Sequence, residues 1–245
     1  MNAARAIVSA LGVAVIGLAG CSNVPGRPVA ADIPPIPSEV LDFQSLYGQN
    51  CAGCHGPDGK GGAAIALADP VYLAIASDDV LHNAAANGIA GTSMPAFGQS
   101  AGGLLTEKQI GALVTGIRQN WGKPDALTGA SPPPYSASTP GDASRGAQTY
   151  ATFCASCHGP AGRGTGKASS IVDGSFLALL TDQELRTLVI IGRPELGAPD
   201  WRNNVSGKPM SSQEISDVVA WLASQRPQFP GRPFPTTANS KGEIR

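Results

Sequence analysis

Cys51-Ala52-Gly53-Cys54-His55 and Cys154-Ala155-Ser156-Cys157-His158 decide the reading of this chain. Two cysteines two residues apart, with a histidine directly after them, form the attachment pattern of a c-type haem: each thiol adds to a vinyl group and the imidazole ligates the iron. Cys-x-x-Cys alone also serves zinc and thiol redox chemistry. Here the pentapeptide recurs in matched surroundings, with Gly56-Pro57-Asp58-Gly59-Lys60-Gly61 after the first copy and Gly159-Pro160-Ala161-Gly162-Arg163-Gly164 after the second. Two covalently bound haem c groups are therefore expected, held by Cys51 and Cys54 and by Cys154 and Cys157, with His55 and His158 on the irons.

The duplication divides the 245 residues into two domains. Aromatic content is only 5%, against 31 glycines and 21 prolines, which is thin material for a core in units of about a hundred residues. A large apolar group fixed in each domain would supply the missing core, much as metals hold small domains together.

Residues 1–20 read as an address label. Arg5 gives a short positive start, and 6–19 are mostly apolar but too few for a transmembrane span. The segment ends in Leu18-Ala19-Gly20-Cys21, which resembles the lipobox of bacterial lipoproteins, where cleavage leaves the cysteine lipidated. Four of the five cysteines belong to the haem motifs and the fifth is Cys21, so no pair is left for a disulfide. The formal charge is −1, and −2 once Arg5 leaves with the signal. Nothing in that balance points to nucleic acid, and no basic run argues for an anionic membrane surface.

Residues 21–37 are rich in proline and small residues and read as an extended tether or, equally, as a segment wrapped on the domain surface. The first domain spans 38–121. Ser38 reads as the N-cap of a helix through Leu41, Leu46 and Tyr47 into Cys51; Ser77 caps a helix that stops at Gly88; Thr106 with Gln109 is a capping box for a last helix. Residues 122–142, with Pro132-Pro133-Pro134, form a semi-rigid linker. The second domain, 143–226, repeats the plan. A helix from Ala143 enters Cys154, Thr181 with Glu184 opens a helix ending at Gly192, and Ser211 with Glu214 opens the final one. Residues 227–245 are a proline-rich tail.

An all-α domain of three main helices around a haem, with the motif after the first and Met94-Pro95-Ala96-Phe97 before the last, resembles the class I cytochrome c fold. Two such domains in tandem resemble the diheme c-type cytochromes of bacterial electron-transfer chains. The resemblance implies export, so that the mature protein faces the periplasm or the outer side of a bacterial membrane, anchored through lipid on Cys21. It also implies Met94 as sixth ligand of the first iron, a His/Met pair that favours the reduced state and suits a carrier.

The second iron breaks the symmetry. An offset of 104 lays Gly88 on Gly192, Pro95 on Pro199 and Phe97 on Trp201, and Met94 then falls on Ala198. Met210 is the one remaining thioether once Met1 leaves with the signal. It stands directly before the Ser211 cap, opposite Leu105 or Thr106, where it is either a packing residue or, if its loop folds back, the second distal ligand. His82, the sole histidine outside the motifs, aligns with Arg186 on a polar helix face and reads as a surface residue. Lys208 is a remote alternative ligand. Tyr47, Tyr150, Phe97 and Trp201 are repeat-matched aromatics expected against the haems, and Lys60 and Arg163 are matched loop cations that read as solvated charges, with a place near the propionates as the alternative.

The expectation for function is a membrane-anchored electron carrier rather than an enzyme. It would take single electrons from a periplasmic dehydrogenase or quinol-oxidising complex and pass them to another cytochrome or an oxidase. Two alternatives stand beside it: a haem enzyme or small-ligand sensor with an open second iron, and a fixed cytochrome subunit of a larger membrane complex. Against an enzyme, the segment aligned with Met94 offers no distal histidine or acid–base pair.

Overall fold

A computed structural model describes residue 26 and residues 34–227. The signal segment, Cys21 and all but the first residue of the tail lie outside the described residues. Among the described residues there are ten α-helices and no strand, only two isolated bridges, and no helix is long and apolar enough to cross a membrane.

In the first half α1 (Phe43–Asn50) leads into the one-turn α2 (Ala52–His55), followed by α3 (Pro70–Ile75), α4 (Asp78–Asn87) and α5 (Glu107–Trp121). The second half repeats this with α6 (Ala143–Phe153), α7 (Ala155–His158), α8 (Gly174–Ala178), α9 (Asp182–Ile191) and α10 (Ser212–Ser224). Each long helix starts where a side-chain oxygen satisfies a free N–H of the first turn. Thr106 with Gln109, Thr181 with Glu184 and Ser211 with Glu214 close full capping boxes, and Ser77 caps α4. The expected start at Ser38 is corrected: Ser38 sits in a 3-10 turn, Pro37–Glu39, and Asp42 caps α1 by accepting from Ser45 N at 2.8 Å. Asp42 prevails because it stands directly before Phe43, Leu46 and Tyr47, the apolar face that buries. The short helices α3 and α8 are additions to the expected plan; Asp69 and Asp173 cap them.

In both halves the helix before the motif crosses the last helix, and in both a glycine sits at the crossing. A Cβ on Gly116 of α5 would lie 2.1 Å from the Phe43 ring of α1. A Cβ on Gly146 of α6 would lie 2.0 Å from the Asp217 carbonyl oxygen of α10. Arg145 and Asp217 lock the second crossing with two hydrogen bonds of 2.8 and 2.9 Å.

The halves share one core. Val71, Tyr72, Leu73, Val114 and Ile117 of the first belong to the same buried cluster as Tyr150, Leu185, Ile190, Trp201, Met210 and Ile215 of the second, with α3 lying against α9. The linker is fastened rather than free. Arg186 of α9 is only 2% exposed, and its guanidinium donates to Pro134 O at 2.9 Å, Tyr135 O at 3.1 Å, Ser212 Oγ at 3.0 Å and Ser216 Oγ at 3.2 Å. The helix face is polar at Arg186, as expected, and it is polar because it grips the linker backbone. Burial lowers the pKa of Arg186, and its neutral acceptors compensate part of the desolvation.

Candidate haem sites

Each Cys-x-x-Cys-His run is a single helical turn continuing from the helix before it, with Cys51 and Cys154 standing at the junctions. This turn puts the first cysteine half-buried and the second exposed in both copies, and all four thiols are free. Burial pushes the Cys51 and Cys154 thiols up to about 11. That is the opposite of the depressed pKa that a redox dithiol needs. Among the described residues no group of three or more His, Cys, Asp or Glu side chains could hold a bare metal ion.

The histidines are oriented by the loops that follow them. His55 Nδ1 lies 2.8 Å from Ile65 O and His158 Nδ1 lies 2.9 Å from Ser169 O. A carbonyl can only accept, so Nδ1 carries the proton and Nε2 keeps its lone pair. His55 Nε2 is buried and has no hydrogen-bond partner, and burial lowers the pKa of the ring so that it stays neutral. A buried lone pair of this kind is costly unless something accepts it, and a neutral imidazole fixed through its other nitrogen is the form that binds a metal. The residues fit a covalent haem.

Two tyrosines hold the motif turns in place, and each is only 1% exposed. Tyr47 donates its hydroxyl to Gly56 O at 2.7 Å, and Tyr150 does the same to Gly159 O. In each half a tryptophan of the last helix backs the tyrosine: Trp121 meets Tyr47 edge-on at 4.9 Å, and Trp221 stacks on Tyr150 at 4.2 Å. Sequence reasoning misses both tryptophans, although each is the aromatic residue of its last helix. Lys60 and Arg163 are exposed on their loops. His82 Nε2 pairs with Glu107 at 2.5 Å on the surface.

The loops before the last helices carry the other candidates. Met94 is partly exposed and lies in a tight turn in which Ile89 N–H donates to Met94 O at 3.1 Å. Ala198 occupies the matching turn in the second half, where Arg193 N–H donates to Ala198 O at 2.9 Å. Met210 is 2% exposed, and its N–H donates to Trp201 O at 2.9 Å. Arg193 also reaches the first half, donating to Gly62 O at 3.2 Å.

Comparison with known proteins gives a separate family match for each half of the chain. The family model described as cytochrome c oxidase, cbb3-type, subunit III matches residues 38–115, and the cytochrome c model matches residues 143–226. The cbb3-type cytochrome c oxidase subunit CcoP of Azospirillum sp. (strain B510) is 32% identical over 146 residues, covering 54% of this chain. The match takes in 42% of that relative, so the chain spans less than half its length. Among solved structures, a chain of the reducing HAO-like protein complex of Kuenenia stuttgartiensis aligns with TM-score 0.45 at 17% identity, over 79% of this chain and 100% of that one. Thiosulfate dehydrogenase from Marichromatium purpuratum, in its as-isolated form, aligns with TM-score 0.33 at 21% identity, over 85% of this chain and 51% of that one.

Proposed function

The chain is a c-type cytochrome with two cytochrome c domains in tandem, and from that premise we propose that it carries two covalent haems and passes single electrons between redox proteins at the outer face of a bacterial membrane. Haem supplies one-electron chemistry at iron; the protein supplies attachment, ligands, insulation and docking faces. Cys51 and Cys54 would hold the first haem and Cys154 and Cys157 the second, with His55 and His158 as ligands through Nε2. Met94 would complete the first iron, giving a His/Met centre of raised potential that changes little in geometry on electron transfer. Lipid on Cys21 would keep the carrier close to its partners.

One observation carries this reading: His55 Nε2 is buried and unpartnered, with its lone pair set free by the bond from Nδ1 to Ile65 O. Haem content of the purified chain tests it, and two haems per chain with two one-electron reduction steps are expected. Met94→Ala should remove the methionine-to-iron charge-transfer band of the first centre and lower its potential, leaving haem content at two. A haem content of two with the band intact would remove Met94 from the ligand set. Mass spectrometry of the N-terminal peptide after Cys21→Ala tests the anchor, since the substitution should leave the peptide without lipid and the protein released.

A second reading, a fixed subunit of a larger membrane complex, is favoured by the match of residues 38–115 to the cbb3-type subunit III model. Native gels of mild-detergent extracts separate the two. A carrier migrates alone, and a subunit migrates with partners in fixed ratio.

A further inference from the structure

The two halves keep the same helix end and the same turn-closing hydrogen bond on the distal side and differ in the side chain presented there. Gly88 and Gly192 end α4 and α9 with the same φ of 67°, a conformation that glycine adopts without strain. A Cβ on Gly88 would strike Met94 O and Pro95 C, and one on Gly192 would strike Ala198 O and Pro199 C. The turn bonds match as well, Ile89 N–H to Met94 O at 3.1 Å and Arg193 N–H to Ala198 O at 2.9 Å. Phe97 N–H then donates to Ala85 O, and Trp201 N–H to Ile190 O, each at 3.0 Å, the second acceptor standing one residue further along its helix than the repeat offset gives. Ala198 therefore stands where Met94 stands, with a methyl group in place of a thioether.

Met210 stands elsewhere. Its N–H donates to Trp201 O at 2.9 Å, as Leu105 N–H donates to Phe97 O at 2.7 Å. Each of the two residues directly precedes the N-cap of its last helix, Ser211 or Thr106. Both side chains are buried in core clusters, Leu105 at 6% and Met210 at 2% exposed. The Met210 sulfur lies 3.8 Å from the Asn204 amide. Met210 does in the second half the packing that leucine does in the first. Lys208, the other candidate, has its ammonium 4.8 Å from the centre of the Phe153 ring and 3.9 Å from Glu214.

We propose that the second iron, ligated by His158, is open on the side of Ala198 and binds a small neutral diatomic molecule when reduced. The proposal rests on the reading of Cys154 to His158 as a haem attachment site. The ligand class follows from the surroundings. The two carboxylates of this loop are both taken up, Asp200 by Arg202 at 2.5 and 3.1 Å and Glu195 by Arg193 at 2.5 Å, so among the described residues of the loop no free carboxylate is at hand to cleave a peroxide. Ligation of a neutral diatomic transfers no proton and no electron.

Carbon monoxide is the probe, titrated into the dithionite-reduced full chain after its haem content has been measured. Two haems and one equivalent of carbon monoxide per chain are the expected result. Two haems with no carbon monoxide bound would overturn the proposal and leave the haem assignment standing, whereas a chain with one haem would overturn both. Met210→Leu should keep the charge-transfer band at one equivalent per chain and keep carbon monoxide binding; loss of band intensity would make Met210 a ligand. Ala198→Met should double the band and abolish carbon monoxide binding, and unchanged binding would remove Ala198 from the distal position. Wild-type stoichiometry decides the matter if either variant fails to fold.

Discussion

Asp217 shows how one carboxylate serves a helix crossing. It is 3% exposed and accepts from the Arg145 side chain, from Asp142 N at 2.8 Å and from Gln213 Nε2 at 2.9 Å. The hydrogen bonds from Arg145, foremost, pull its pKa from 3.8 to about 2. A folded-state pKa below the unfolded one contributes stability above about pH 4, and that contribution is lost as the pH falls toward 2. Asp217→Asn should therefore cost about 1–2 kcal/mol at neutral pH, the low end for charged hydrogen bonds because Arg145 is 58% exposed. Thermal unfolding of both proteins between pH 7 and 2 should show the gap closing below pH 4; a constant gap would mean that the carboxylate charge is not what matters.

Among the elements, the crossings set the sharpest limits. Gly146→Ala gains about 1 kcal/mol of helix propensity. It also drives a methyl group to within 2.0 Å of a backbone oxygen, and overpacking of that kind costs about 1–3 kcal/mol, here at the upper end because backbone cannot rotate aside. A net fall in melting temperature is expected. A Cβ on Gly111 of α5 would meet nothing within 4 Å, so Gly111→Ala should raise stability by about 0.4–1 kcal/mol, and the pair of variants measured by calorimetry checks the crossing. Elements that announce themselves locally are legible in the sequence. The three capping boxes and the Cys-x-x-Cys-His turns are written in residues three or four apart. The short helices α3 and α8 are not, since five or six residues carry no periodicity. Arg186 misleads because the carbonyls it binds lie about fifty residues away, and a helix face does not say what will lie on it. In the candidate sites, the attachment residues and the mismatch of Met94 with Ala198 are visible by aligning the repeats. The role of the tyrosine hydroxyls is not, because it depends on a carbonyl brought close by the fold.

Within residues 41–227 the two cytochrome c domains pack on one shared core. Because Tyr72 and Ile117 share a buried cluster with Ile190 and Trp201, residues 41–227 should unfold in a single calorimetric transition, and two separated transitions would contradict the shared core. Arg186→Met, which leaves Pro134 O without its Arg186 donor and Tyr135 O with Gln183 alone, should cost about 2–3 kcal/mol and make residues 122–142 newly sensitive to limited proteolysis. The clamp also bears on kinetics. A linker held by Arg186 together with Gln183 and Gln213 turns the separation of the two Cys-x-x-Cys-His turns into a fixed length rather than an average over postures. Electron tunnelling decays exponentially with distance, so a fixed length gives one rate constant. Flash reduction of the loaded protein should relax internally as a single exponential, independent of protein concentration, and become multiphasic once the clamp is cut.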